Sequence, residues 1–300
     1  LQQEEGLAMT GSPIGCHALV WTGEFDAEGI ISSVERTKAA GFDLVEFPLM
    51  DPDTFDAAVA RTAIADTGMI ATASLGLPEH ADISSEDPDV VAAGAKLLQM
   101  ALNQTAEMGA FRMCGVLYGA MRKHMAPMSD RGRANSVEAI RDLADQAQRL
   151  GIQLSLEVVN RYESNILNTG RDALRYLSEV GREEVSVHLD TYHMNIEESD
   201  MFQPFLDTSE RLGYVHIGES HRGYLGTGSV DFETTFRALD RIGFAGPIVF
   251  ESFSSAVVSP TLSNTLGIWR NLWSDSDHLA AHANRFIRDH LAAVRTIELH

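Results

Sequence analysis

The sequence predicts an α/β fold, a closed (β/α)8 TIM barrel built as a single domain, and three observations predict it. Eight short apolar runs alternate with amphipathic helical patterns along 300 residues. No low-complexity or Pro/Ser-rich linker divides the chain after residue 13. Within the clearest strands, apolar and polar residues alternate. Val185, Val187 and Leu189 share one face while Ser186, His188 and Asp190 share the other. Ile152, Leu154, Leu156 and Val158 likewise oppose Gln153, Ser155 and Glu157. An open doubly wound sheet wants apolar residues on both faces. One apolar and one polar face suits strands with helices outside and a functional interior, and the count of eight favours closure.

The candidate strands are HALVW (17–21), FDLVEFPL (42–49), MIATASL (69–75), FRMCGVL (111–117), IQLSLEVV (152–159), VSVHLDTY (185–192), LGYVHIGE (212–219) and GPIVFESF (246–253). Helices fill most gaps. In SVEAIRDLADQAQRLG, Val137, Ile140, Leu143, Ala144 and Ala147 fall on one stripe. Glycine stands between helix and strand in AAGFDLV, EMGAFRM, RLGIQLS and RIGFAGP, where a left-handed helix end favours it. The domain is expected to span residues 14–300, after a flexible N-terminal segment of residues 1–13.

Composition narrows the function. Hydrophobic residues make up 44% and charged residues 22%, an ordinary globular balance for a chain long enough to bury a full core. The two cysteines, Cys16 and Cys114, form no CxxC pattern, so a disulfide framework is not expected and a reducing, cytoplasmic setting is. The opening LQQEEGLAMTGSP is polar, so no signal peptide is expected, and no apolar run is long enough for a membrane span. A net charge of −20, with scattered Lys and Arg, argues against nucleic acid as a partner. It suits a neutral small molecule or a cation.

In such barrels the active site lies at the C-terminal ends of the strands. The fifth run there holds Glu157, the sixth Asp190, the seventh His216 and the eighth Glu251. Any one acid at a strand end is ordinarily a helix cap or a surface group. Four at equivalent positions of consecutive strands form a set. Three carboxylates and an imidazole, with no Cys, suit one hard-to-borderline divalent cation: Mn²⁺, Co²⁺ or Mg²⁺. Such clustered anions repel one another unless a cation sits among them. Glu163 and Arg222 each follow a member of the set by six positions, and His193 follows Asp190 by three. Together these groups can hydrogen-bond a polyhydroxylated ligand, although alone each also reads as a loop charge or a helix-start histidine. His188 reads as a barrel-interior residue rather than a ligand. Glu219 and His221 stay ambiguous, and Glu197 and Glu198 read as the acidic first turn of a helix.

These segments, LEVVNRYESNILNT, HLDTYHMNIEE, HIGESHRGYLGTG and IVFESF, resemble those of the ketose 3-epimerases (D-tagatose, D-psicose/allulose and L-ribulose 3-epimerases), xylose-isomerase-like barrels. A weaker likeness extends over AAGFDLVEFPL and GVLYGAM. The resemblance implies an isomerase acting on a free ketose and one divalent ion, Mn²⁺ first and otherwise Co²⁺, held by Glu157, Asp190, His216 and Glu251. It implies sugar contacts from Glu163, His193, Arg222 and Trp21, and assembly as a homodimer or homotetramer. It further implies epimerisation at C3 through a cis-enediolate, with Glu157 and Glu251 as opposed acid and base. Met121 and His221 depart from the residues several such enzymes carry, which leaves the sugar open. The rival readings are an aldose–ketose isomerase, a hydroxypyruvate isomerase or an inosose dehydratase on the same barrel. An endonuclease-IV-like repair protein is a further rival, disfavoured by the charge.

Overall fold

The structure, a computed structural model, describes residues 11–297, so most of the expected N-terminal segment lies outside the described residues. Eight parallel strands close into one barrel in chain order. They are β1 (Ile14–His17), β2 (Leu44–Pro48), β3 (Ile70–Leu77), β4 (Arg112–Ala120), β5 (Gln153–Val158), β6 (Val185–Asp190), β7 (Leu212–Ile217) and β8 (Ile248–Phe250). The ring of helices includes α1 (Ala27–Ala39), α2 (Ala57–Thr67), α3 (Pro88–Glu107), α4 (Asp130–Leu150) and α5 (Gly170–Val180). It continues with α6 (Thr191–Glu197), α7 (Gln203–Thr208), α8 (Phe232–Arg241), α9 (Pro260–Leu266) and α10 (Ser276–Ile297). Among the described residues no helix is long and apolar enough to cross a membrane, and both cysteines are free and buried.

The expected helical stripe is the one α4 buries: Val137, Ile140, Leu143, Ala144 and Ala147 all sit in the core. The helix starts earlier than its apolar pattern, because Ser129 caps it by accepting the Gly132 N–H. The four glycines expected after helices, Gly41, Gly109, Gly151 and Gly243, all have positive φ.

The first strand lies upstream of the expected run. Its residues are Ile14–His17, and Ala18–Val20 form a 3₁₀ turn. Gly15 is why the strand reads poorly in sequence: a Cβ there would press on Leu44 and Val249, so the barrel closes over a bare backbone. The sixth run ends early for a different reason. Asp190 caps α6 through the Tyr192 N–H, which stops β6 at the site itself.

Inside the barrel the polar faces of the strands meet. At the lower end the buried Arg112 guanidinium donates to Ser155 Oγ and Ser186 Oγ and also reaches Gln153. Above it, Leu44, Cys114, Tyr214 and Val249 pack together. The next layer toward the C-terminal rim carries carboxylates and imidazoles. Pairing places Asp190 beside His216 and Glu157 beside His188, after a register shift in the β6–β7 pair.

Two glycines separate conformational need from steric need. Gly151 (φ +72) has open space where a Cβ would go. At Gly115 (φ +111) a Cβ would run into the Leu75 backbone carbonyl. Gly151→Ala should cost about 1–2 kcal/mol, the left-handed penalty alone. Gly115→Ala should cost about 3 kcal/mol or more. Urea denaturation of both variants measures the difference, and equal losses would refute it.

Candidate active site

Glu157 and Asp190 sit near or at the ends of β5 and β6, His216 near the end of β7, and Glu251 just past β8. One ligand atom from each of these four buried residues lies within 4.8 Å of the others. His216 Nδ1 stands 3.5 Å from Glu251 Oε1 and 3.8 Å from Glu157 Oε1. This nitrogen is buried and has no hydrogen-bond partner. A buried nitrogen with no partner, aimed into three carboxylates, is what a cation seat requires. Oxygen and imidazole donors without thiolate fit a hard-to-borderline divalent ion. Glu157, His188 and His216 form a second possible grouping. His188, however, is sealed inside the barrel with its ring edge-on to Tyr214 and His216, and burial keeps it neutral.

The electrostatics follow from the crowding. Burial, reinforced by Glu251 and Asp190, pushes the Glu157 carboxyl well above its ordinary value. Burial raises Glu251 to about 7 against the pull of Arg222 and His216. Burial also works against the Asp190 carboxylate, but Arg222 and His193 hold it below its ordinary value. For His216, burial disfavours the charge, yet Glu46 and Glu251 outweigh it and raise the ring to about 10.

Arg222 supplies the fixed positive charge. Its Nη1 donates to Asp190 Oδ2 at 3.1 Å and to Glu251 Oε2 at 2.5 Å. The guanidinium lies 3.7 Å over the Tyr192 ring, with Phe253 5.1 Å away. Its backbone has φ +61, the one positive φ outside glycine among the described residues. The strain is held by Ser252, which donates to the Arg222 carbonyl, and by the Arg222 N–H to Glu219 O.

His193 is locked by Asn160. Its Nδ1 accepts the Asn160 N–H at 3.1 Å and the Asn160 side-chain amide at 2.8 Å. A neutral ring must then carry its proton on Nε2, which faces Glu157 Oε1 and Asp190 Oδ2, each 3.6 Å away. The Asn160 amide also donates to Glu163 Oε1 at 2.9 Å, so one side chain sets both groups. Glu157, Glu163, His193, His216, Arg222 and Glu251 line one cavity at the C-terminal rim.

Trp21 is not brought to this cavity. It follows the 3₁₀ turn after β1, its indole N–H donates to Thr37 on α1, and Arg36 stacks on its ring. The early end of β1 turns it into the helix layer, which corrects its assignment as a sugar contact. Met121 does line the cavity, whereas His221 faces Gly223 and Thr227 outside it. Glu219 organises the loop after β7 by accepting the N–H groups of Ser220 and Gly226. Glu197 and Glu198 stand at the end of α6 rather than in its first turn. Glu197 pairs with Arg161, and Glu198 accepts the N–H of Gly170 at the start of α5.

Sequence reading missed Glu46, His17 and Asn160. Glu46 had a signal: a lone acid on the interior face of the apolar run LVEFP. It is fully buried and accepts from Tyr214 and His216. His17 lines the cavity with Nδ1 accepting the Leu19 N–H at 3.2 Å, so its neutral ring carries the proton on Nε2. Burial lowers it to about 4. Asn160 had no signal beyond its place between Glu157 and Glu163.

The sequence pattern of the family described as xylose isomerase-like TIM barrel matches residues 34–290. The ketose 3-epimerase of Arthrobacter globiformis is 65% identical over 287 residues, 96% of this chain and 99% of that protein. The L-ribulose 3-epimerase of Methylomonas sp. (strain DH-1) is 51% identical over 274 residues, 91% of this chain and 96% of that protein. The crystal structure of a Methylomonas sp. D-allulose 3-epimerase in complex with D-allulose superposes with a TM-score of 0.92 at 50% identity, covering 93% of this chain and 97% of that one.

In the metal-free protein two of the three cavity histidines, His216 and His17, should titrate far apart. His216 should keep both ring protons through neutral pH and lose one near pH 10, while His17 stays neutral until the pH falls to about 4. Ring-nitrogen NMR reads both; matching midpoints near 6.5 would contradict the electrostatics.

Proposed function

The chain belongs to the ketose 3-epimerase family of the xylose isomerase-like TIM barrels, an isomerase family, and we propose that it epimerises a free ketose at C3, using Glu157 and Glu251 as opposed acid and base. The observation that carries this reading is the buried quartet of Glu157, Asp190, His216 and Glu251, opening on a cavity that also holds Glu163, His193 and Arg222. A divalent cation held by the quartet, Mn²⁺ first and Co²⁺ or Mg²⁺ otherwise, would polarise the ketose carbonyl and stabilise negative charge developing on the sugar.

The chain's own residues perform the proton transfers. Epimerisation removes the C3 proton on one face and returns a proton on the other. The C3 electron pair moves into the C2–C3 bond, and the sugar passes through a cis-enediolate. Glu157 and Glu251 come from strands separated by β6 and β7, so they can address opposite faces. One takes the proton and the other, protonated, gives one back; the reverse reaction exchanges the roles. On this reading the His193 Nε2–H, whose ring Asn160 fixes, would donate to the oxygen on C2 as it gains charge. Arg222 adds a positive charge on that side. Glu163, held by the Asn160 amide, would accept from the C1 hydroxyl.

The Methylomonas sp. relative solved with D-allulose supports a ketose as the ligand. Incubating metal-loaded protein with D-fructose, D-tagatose, L-ribulose and D-allulose should give C3 epimers, with solvent deuterium entering at C3. Glu157→Gln and Glu251→Gln should each lower kcat by about 10²–10⁴-fold, and near-normal turnover in either variant would sink the assignment. Chelation should abolish activity and added Mn²⁺ or Co²⁺ restore it. Metal uptake at pH 7 should release protons, because His216 carries both ring protons in the metal-free site and burial pushes the Glu157 carboxyl toward its protonated form. Apparent affinity therefore rises with pH through the neutral range; calorimetry in buffers of different ionisation enthalpy counts the protons.

A further inference from the structure

Glu46 takes no part in the proton transfers, yet its carboxylate is fully buried on β2 and reaches across the barrel to β7. Oε2 accepts the Tyr214 hydroxyl at 2.6 Å and lies 2.8 Å from His216 Nε2. The Tyr214 hydroxyl lies 2.7 Å from Thr72 Oγ1 on β3. Since Tyr214 spends its proton on Glu46, Thr72 must donate to Tyr214. Oε1 has no hydrogen-bond partner and stands 3.4 Å from His17 Nε2. We propose that Glu46 is the positioning residue of the cation seat: it fixes the His216 ring with Nδ1 turned into the carboxylate quartet and turns its other oxygen toward His17 on the neighbouring strand β1.

The argument is one of donors and acceptors, and it rests on the reading of the quartet as a metal site. An imidazole can offer either nitrogen to a cation, and the partner of the other nitrogen decides which. A full negative charge at Nε2 keeps a proton there, so the Nδ1 lone pair becomes the one available when the ring is neutral. The same charge makes that lone pair more basic. Tyr214, itself oriented by Thr72, fixes the carboxylate plane, so the ring orientation is inherited from β2, β3 and β7 together. The remaining oxygen meets His17, whose Nε2–H is the only ring proton its tautomer allows. His17 Nε2 also lies 3.2 Å from Ser74 Oγ and 4.0 Å from Glu251 Oε1. Glu46 thus links the walls on either side of Glu251.

Glu46→Gln keeps the shape and removes the charge. If the amide oxygen takes over the Oε2 contacts, the NH₂ faces the His17 Nε2–H, donor against donor. Metal-free parent and variant are titrated with Mn²⁺ and Co²⁺ by calorimetry, the absorption spectrum of the Co²⁺ form is recorded, and metal-free melting is compared. The expected result is about a ten- to hundredfold weaker metal affinity with a changed Co²⁺ spectrum. Parent-like affinity and spectrum would overturn the proposal, whatever happens to the melting temperature, because a purely structural cross-link moves only the latter. Should Glu46→Gln not fold, Tyr214→Phe keeps the charge and frees its plane; it should weaken metal binding in the same direction but less, and unchanged affinity overturns the proposal. A parent that takes up neither ion overturns the reading of the quartet itself, and this inference with it.

Discussion

The structure depends on one electrostatic constraint: four carboxyl groups, Glu46, Glu157, Asp190 and Glu251, are buried within one barrel mouth. Buried like charges at these distances cannot all stay ionised without compensation. The metal-free protein solves this by division. Asp190 and Glu46 are held below their ordinary values, against the cations Arg222 and His216, while Glu157 is pushed upward and Glu251 sits near 7. The compensation is therefore partly fixed charge and partly protons. Protons can be exchanged for a cation and the guanidinium cannot, so the quartet has the chemistry of a cation seat rather than that of a salt-bridge network.

The fold delivers this arrangement through strand ends. Parallel strands in a closed barrel bring equivalent positions of β5 to β8 to one rim, and the helices outside leave the interior face free for polar residues. Local devices then aim each group. Asp190 doubles as the cap of α6. The Tyr118 hydroxyl holds the Glu157 carbonyl at 2.8 Å. The strained Arg222 backbone throws its side chain back over the site. Asn160 ties His193 and Glu163 into one unit. Each costs a little regularity, which is why strands end early and a non-glycine residue takes a positive φ at the rim.

Much of this was legible in the sequence. The alternation in β5 and β6 gave the barrel, and charged residues at the ends of four consecutive strands gave the quartet. What was hidden has a physical cause in each instance. The β1 segment IGCH carries Gly15 for close packing, so its pattern is weak, and the stronger apolar run HALVW drew the strand too far downstream. Trp21 was misplaced with it. Glu46 sits on a strand remote in sequence from its partners Tyr214 and His216, and no local spacing announces a contact across the barrel. The Asn160 contact depends on a backbone turn, and turns are set by φ and ψ more than by residue type.

The cavity is divided in a way that bears on which sugars it can serve. The charged groups stand on the side of β5 to β8, whereas Leu19, Pro48, Met50, Leu262 and Leu266 line the rest of the cavity together with Met121. On the proposed reading, the first three carbons of the ketose meet the charged side, where each hydroxyl finds a fixed donor or acceptor. The remaining carbons meet walls of apolar side chains. Apolar contact discriminates weakly between stereoisomers, because a hydroxyl turned the other way leaves no dedicated buried partner unmatched, while a missing hydroxyl at the polar end leaves one stranded. On that reading chemistry at C3 would be under tight geometric control, and identity beyond it would rest more on shape than on dedicated polar partners. A position such as Met121 can therefore differ between related chains without disturbing the charged half of the cavity.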